Sequence, residues 1–400
     1  MLTFDEARKK LLEAVATLPA ERVPLDAADA RVLAEDVVAP NDLPRFDYSA
    51  MDGYAVRTSD LQGDGPFELV VSGEIAAGGA TDIPLAPKRA ARIFTGAPLA
   101  QGSDAVLMQE NVERSGDTIR FKTKPSSGEN VRRRGEDLRK GAVAIARGTR
   151  LGPGHVALAA ALDRPTLLVA RRPIVTVIGS GDELRSPGEP DRPGSIPESN
   201  GYFVAAQARR AGAVVRMAHF LRDELEAAKT EIRALLGGSD VVVTIGGVSV
   251  GDHDVIRPAL EAAGVSIDFY KVAMKPGKPL TVGRRDNVTV IGLPGNPASA
   301  SLTFLLFGIP LLRALQGDPH AVAASTPMKI RGTLKRKPGR REFARARIVR
   351  EGAALVAELL PNQASGAVTS FAAADALVVV PEERGDVGDG EMLEVLSIDC

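Results

Sequence analysis

At 400 residues the chain exceeds one compact core of roughly 100–200 residues, so two to four domains are expected. Apolar residues at 44% and charged residues at 25% argue against disorder or a fibre, and 50 basic against 51 acidic residues disfavour bulk DNA as a partner. Aromatics at 4% with no Trp disfavour base-stacking single-strand binding, and one cysteine, Cys400, excludes an intramolecular disulfide or a Cys-rich metal site. The N-terminal MLTFDEARKKLLEAV lacks the basic-then-apolar order of a secretory signal. It reads as an amphipathic helix, with Thr3 and Glu6 at capping-box spacing and Phe4, Ala7, Leu11, Leu12 and Val15 at helical intervals. No stretch reaches the ~18–20 uninterrupted apolar residues that cross a bilayer. A cytoplasmic protein with no nucleic-acid or membrane partner is therefore expected.

From about residue 20 to 150, short β-like runs (RVLAEDVVA, GYAVRTSD, FELVVSGEI, ARIFTG, DAVLMQENV, TIRFKT) alternate with Gly, Pro and Asp, predicting a mostly antiparallel β region. Residues 151–172 read as a helix leading into a linker that ends at Pro173. Between 173 and about 320, the strands IVTVIG, AVVRMAHF, DVVVTIGG, VSIDFYKVA and NVTVIG alternate with helices, which predicts a parallel sheet covered by helices. PASASLTFLLFGIPLLRAL is the closing helix. From about 325 the texture is β again and predicts a small closed sheet or barrel. Residues 331–350 hold nine Lys/Arg and one acid, Glu342, readable as the wet face of a strand pair or as a patch that steers an anion.

In open α/β sheets, ligands bind beyond the carboxyl ends of the strands. Four such ends carry unusual residues: Ser180 to Leu184, then Val248 to Asp254 after Gly246-Gly247, then Met274 to Pro279, then Leu293 to Pro297. Gly246, Gly247 and Gly251 allow backbone amides to approach an anion, or are simply tight turns. Lys275 and Lys278 flank a stiff Pro-Gly turn with Lys271 upstream, able to neutralise a phosphate or metal oxyanion, or are solvated strand-end lysines. Pro294 and Pro297 fix the loop around Gly295-Asn296, or Pro297 merely opens a helix. Asp182, Glu183, Asp252 and Asp254 would repel one another unless a cation or a proton lies among them, and such oxygens beside lysines suit Mg²⁺ bound partly through phosphate. The alternative is solvated turn acids and helix caps.

The first β region adds PRFDYSAMDGYAV, with Asp52, IFTGAP, with Thr95, and RRRGED, with Asp137. The small and polar run in SAMDG is costly in a strand unless something approaches its backbone. The three arginines form either a self-satisfied network with the neighbouring acids or an anion clamp.

Together with GDEL, IPESNGYFVAA, GGVSVGDHD, KPGKP, GLPGNPASA and QASGAVTSFAAADALVVVP, these strings run in order from residue 44 to 381 and resemble the MoeA family of molybdopterin molybdenumtransferases, which includes the E domain of gephyrin. The resemblance implies a multidomain α/β plus β fold with a central MogA-like α/β domain (173–322). It also implies a helical linker domain (1–26 and 140–172), a β-rich domain carrying SAMDG and FTG (27–139) and a small β-barrel-like C-terminal domain (323–400). It implies insertion of molybdenum from molybdate into adenylated molybdopterin with release of AMP, assisted by Mg²⁺ or another divalent cation. The assembly implied is a homodimer whose cleft lies between the α/β domain of one chain and the SAMDG-bearing domain of the other. The adenylyltransferase that supplies the pterin and the molybdoenzyme acceptors are the implied partners. Matching motif to motif, Asp52, Thr95, Asp137, Glu183, Asp223, Asp254, Lys271 and Lys275 would be catalytic. Gly246, Gly247, Ser249, Gly251, Lys278, Pro294, Gly295, Asn296, Pro297 and Ser365 would hold substrate or oxyanion, with Glu183 and Asp254 on the metal. Two positions, His253 in GDHD and Glu198 in IPESN, depart from the expected pattern. A gephyrin-like scaffold and a tungsten-inserting paralogue are the alternative readings.

Overall fold

The computed structural model describes residues 1–80, 83–218, 220–221, 225–247 and 256–398. The predicted capping box opens the helix Phe4–Glu13. The Thr3 amide donates to Glu6 Oε2 at 2.8 Å and the Glu6 amide to the Thr3 hydroxyl at 3.3 Å. Its buried stripe of Phe4, Ala7 and Leu11 belongs to the core of the α/β body, where the Phe4 ring lies 5.3 Å from Phe307 and 4.9 Å from Phe343. The N-terminal helix therefore packs on the α/β body and not with residues 140–172.

Around those residues the core is drawn from both sides of the β-rich region: Val23, Leu33 and Val37 meet Ile145, Leu151, Leu162, Leu167 and Val169. The segment read as a linker before Pro173 is a strand, Thr166–Ala170, which follows the helix Pro153–Ala161 and pairs antiparallel with Ala20–Pro24. Its alternate residues Leu167 and Val169 have apolar partners to bury against, so it does not run free. The β-rich region holds a six-stranded sheet in the spatial order 105–108, 53–56, 89–93, 67–75, 118–121, 113–115. It is antiparallel except where Phe67–Ile75 runs parallel to Arg89–Ile93. RVLAEDVVA contributes only the short strand Val37–Val38, and the Asp36 carboxylate instead accepts the Arg147 amide at 2.7 Å.

The central sheet has the order 214–217, 174–179, 241–245, 288–293, 279–285, 266–271. Period-two alternation supplies both of its faces. Val241, Val243 and Ile245 face the helices Asn200–Arg210 and Pro297–Thr303, whereas Val242 and Val290 face Leu225–Leu236 and Ile256–Ala262. The all-parallel sheet predicted from the sequence is in fact mixed. Pro279–Arg285 adds a strand that runs antiparallel to both neighbours because the short KPGKP loop is too brief for a helical crossover. The remaining strands are mutually parallel, so the carboxyl ends of 174–179, 241–245, 266–271 and 288–293 share one edge.

The helical run Pro297–Leu315 is 19 residues long and holds an 18-residue window with a mean hydropathy of 1.6, enough by length and composition to cross a membrane, yet 83% of that window is buried inside the protein. Ser299, Ser301 and Thr303 interrupt its apolar sequence, and it serves as a core helix.

The C-terminal strands 274–275, 341–351, 354–359, 326–331, 392–397 and 376–380 close into a barrel through pairing of 341–351 with 376–380. The wet face expected of the basic stretch fails at Arg336, Glu342 and Arg345, all buried. The strand Arg341–Glu351 is covered on both sides over Glu342–Ala346, where Ala344 and Ala346 fill the barrel while Phe343 packs into the α/β core, and its later half is half-buried or exposed.

Candidate active site

Three strand-end loops lie backbone against backbone. The Ser180 amide donates to the Ile245 carbonyl at 2.8 Å, and the Gly246 amide to the Leu293 carbonyl at 3.0 Å. Gly246 has φ +88°, and a Cβ there would sit 2.5 Å from the Ser180 carbonyl oxygen, so only glycine fits between its neighbours. Gly247 follows it, and Gly295 stands beside Gly246 across the next loop. Asn200, at the start of its helix, donates its side-chain amide to the Gly295 carbonyl at 2.7 Å. That helix has no side-chain cap from Ser199. The buried Glu198 carboxylate accepts the Gly201 amide at 2.5 Å instead. Burial pushes the Glu198 carboxyl above its ordinary range, against the Gly201, Asn200 and Tyr202 amides that favour its charged form.

The KPGKP loop closes on itself through the Val272 amide and the Lys278 carbonyl at 3.0 Å. Lys271 ends its strand with the ammonium 5.0 Å above the Tyr270 ring. Lys278 is exposed and Lys275 half-exposed, its ammonium 3.0 Å from Glu342 Oε1. Pro294 is buried. Pro297 opens the helix Pro297–Thr303 with no amide of its own to donate, and the amides of Ser299 and Ala300 go to the Asn296 carbonyl and not to its side chain. The Ser365 carbonyl accepts the Ala298 amide at 2.9 Å, which seats the QASG loop of the C-terminal region on the same helix start. That loop is held by Arg345, fully buried, whose guanidinium donates to the carbonyls of Asn362 at 3.1 Å and Ala364 at 3.0 Å. Burial presses the Arg345 pKa downward. Beside Pro297 the helix starts leave a cleft of about 120 Å³ walled by Asn200, Phe203, Ser301, Val368 and Phe371. The sequence pattern marks neither Arg345 nor Glu342 as a site residue. The alternation in REFARAR was visible, but it does not say which face a second domain covers.

In the β-rich domain, Gly53 lies so close to the neighbouring strand that a Cβ would run into the Leu107 carbonyl. This explains the small residue after Asp52 without any ligand. Asp52 Oδ1 accepts both the amide and the hydroxyl of Thr95, at 2.7 and 2.9 Å. Those two bonds, aided by the Arg92 charge, hold its carboxyl below the usual range. Asp137 pairs with Arg132 at 2.8 Å, and Arg132 also holds Glu136 at 2.6 Å. Arg133 binds Asp47 at 2.7 Å and Arg134 binds Asp42 at 2.6 Å, so the triple arginine is a self-satisfied network in this chain. Among the described residues, no hydrogen bond or ion pair joins Asp52, Thr95 or Asp137 to the α/β loops.

Glu183 is exposed at the same sheet edge as the lysine loop, with its backbone carbonyl accepting the Ile196 amide at 2.8 Å. Asp223, Ser249, Gly251 and Asp254 lie outside the described residues. Among the described residues, no three His, Cys, Asp or Glu side chains cluster as a metal site.

Comparison with known proteins gives a consistent result along the whole chain. Residues 2–162 match the MoeA N-terminal region (domain I and II), 176–314 a probable molybdopterin binding domain, and 328–398 the MoeA C-terminal region (domain IV). The chain is 37% identical to the molybdopterin molybdenumtransferase of Haemophilus influenzae over 99% of its own length and 98% of that protein. It is 34% identical to that of Bacillus subtilis, over 99% and 94%. The crystal structure of the molybdopterin biosynthesis MoeA protein from Pyrococcus horikosii superposes with a TM-score of 0.85 at 30% identity, covering both chains completely. With the order of domains, the shared sheet edge and full-length similarity in agreement, the chain belongs to the MoeA family of molybdopterin molybdenumtransferases.

Proposed function

We propose that this protein transfers molybdenum from molybdate into molybdopterin, taking the adenylated pterin as substrate and releasing AMP. The observation that carries the reading is the convergence of loops on one sheet edge: Ser180, Gly246 and Leu293 in backbone contact, Asn200 on Gly295, and Ser365 at the Pro297 helix start. Lys271, Lys275 and Lys278 rise from the adjoining loop. Molybdate and a pyrophosphate-linked pterin repel each other, and three ammonium groups offset that repulsion while bringing the two within reach. Lys275 and Lys278 orient the oxyanions, and the Pro294–Pro297 turn presents backbone to them. Glu183 is a hard-oxygen donor that would help hold a divalent cation together with substrate phosphate, Asp254 being the second donor that the family resemblance implies. When bound, that cation would polarise the adenylyl phosphate toward attack by water. No protein nucleophile is required.

Among the described residues, no hydrogen bond or ion pair links the Asp52–Thr95 pair to the lysine loop within one chain, which supports a homodimer in which the partner's β-rich domain faces this edge. Asp52, held ionised by Thr95, then meets the substrate from the opposite wall. A cytoplasmic location, with the adenylyltransferase as supplier and molybdoenzymes as acceptors, fits this chemistry. Nothing favours a scaffold role or tungsten over molybdenum.

The test incubates the protein with adenylated molybdopterin and magnesium, with and without molybdate, and measures AMP and the restored activity of an apo-molybdoenzyme. Molybdate-dependent AMP release with reconstitution is expected. AMP release that ignores molybdate, or no reconstitution, would contradict the assignment.

A further inference from the structure

The half-exposed Lys275 ammonium lies 3.0 Å from Oε1 of Glu342, a carboxylate only 5% exposed. The other oxygen of Glu342 accepts Arg336 Nε at 3.0 Å, and the Arg336 side chain is 1% exposed. Arg336 donates further to the carbonyls of Pro381, Arg384 and Arg340, so its guanidinium is fixed from several sides. The backbone supports the same contact, since Met274–Lys275 pairs in parallel register with Arg341–Glu342 as a strand of the C-terminal barrel. Arg336 offsets the charge of Glu342, leaving the three groups together with a net charge of one positive. An ammonium has three donors. One is held by Glu342, and two remain for an oxyanion on the exposed side.

We infer that Glu342, backed by Arg336, is a positioning residue that aims the Lys275 ammonium at the anion without neutralising it. The C-terminal barrel is thereby a structural part of the oxyanion site. This inference rests on the reading of Lys275 as an anion ligand given above.

The test uses full-length protein and molybdate-dependent AMP release. Glu342→Asp keeps the charge opposite Arg336 but shortens the reach by about 1.5 Å, whereas Glu342→Gln keeps the reach and removes the charge. Both should raise KM for molybdate about tenfold with kcat at saturation within about twofold, the pattern of lost binding orientation. Adding Glu342→Gln to Lys275→Ala should leave KM where Lys275→Ala alone puts it, because the two act as one unit. If Lys275→Ala raises KM and Glu342→Asp, folded as wild type, does not, the inference fails while the anion-site reading stands. If Lys275→Ala itself leaves KM unchanged, the reading fails and takes the inference with it. Additive effects in the double variant, or unfolding of Glu342→Asp, would make Glu342 a stabiliser of the barrel and overturn its positioning role.

Discussion

Asp52 and Thr95 are bound twice through one carboxylate oxygen, at 2.7 Å from the Thr95 amide and 2.9 Å from its hydroxyl. A Thr95→Val change keeps the amide bond and removes the hydroxyl bond. Thr95→Val should therefore move the Asp52 carboxyl back up toward its ordinary range, read by NMR titration of Asp52. Asp52→Asn should cut kcat about tenfold or more. Its melting temperature should stay within about 2 °C of wild type, as for an exposed site. Equal losses of stability and activity would make the pair a structural turn.

Gly246 and Gly295 lie on adjoining loops with opposite constraints. A Cβ at Gly246 would meet the Ser180 carbonyl at 2.5 Å with φ at +88°, whereas one at Gly295 would find nothing nearer than the Gly246 Cα at 3.6 Å. Gly246→Ala should destabilise by about 1–3 kcal/mol in urea unfolding. Gly295→Ala should unfold like wild type, within about 0.5 kcal/mol, and show any effect in turnover alone. Equal stability in the two variants would refute the close packing of these loops.

Glu198 carries a raised carboxyl, chiefly through burial. A raised folded-state pKa means that its contribution is most favourable below the ordinary value of 4.5 and is lost as pH rises through the folded value. Glu198→Gln still offers an oxygen to the Gly201 amide but carries no charge to bury. Its stability relative to wild type should climb between about pH 4 and pH 7. A difference independent of pH would show that Glu198 pays no penalty for ionising.

Asp240 has the opposite sign. Burial raises its carboxyl, but Arg171, at 2.7 and 2.6 Å, and the Ile174 amide outweigh burial and leave it lowered. Its stabilisation is present above the ordinary value of 3.8 and is lost as pH falls through the folded value. Asp240→Asn should cost about 1–3 kcal/mol at neutral pH. The gap should narrow in acid, where both forms are uncharged. A constant gap down to about pH 2 would contradict the ion pair as its source.

Much of this fold is legible where local pattern and burial coincide. The capping box at Thr3 and Glu6 announces its helix, and the all-apolar DVVVTI announces a central strand with both faces covered. The placement of chemistry at strand ends follows from topology alone, because parallel strands share an edge. What escapes is decided by long-range contact. PLTVGRR is a short run straight after a Pro-Gly turn, and it is fixed as a strand by the two neighbours that lie beside it. Thr166–Ala170 is fixed by a partner some 146 residues away, Ala20 opposite Ala170 giving a separation of 150 and Pro24 opposite Thr166 one of 142. Glu342 and Arg345 look like the wet face of a basic strand, but Arg336 and Lys275 close on Glu342 and the carbonyls of Asn362 and Ala364 on Arg345. Glu198 looks like a departure in a loop motif, but it caps a helix whose own Ser199 does not.

The central claim is that the strand-end loops of the α/β body and the C-terminal barrel enclose one oxyanion site. It is tested most directly by anomalous diffraction from crystals of the protein soaked in molybdate. A molybdenum peak within hydrogen-bond reach of the Lys275 and Lys278 ammonium groups and the Pro294–Pro297 turn is the predicted result, absent from crystals of Lys275→Ala. A peak elsewhere on the molecule, or the same peak undiminished in Lys275→Ala, would contradict it.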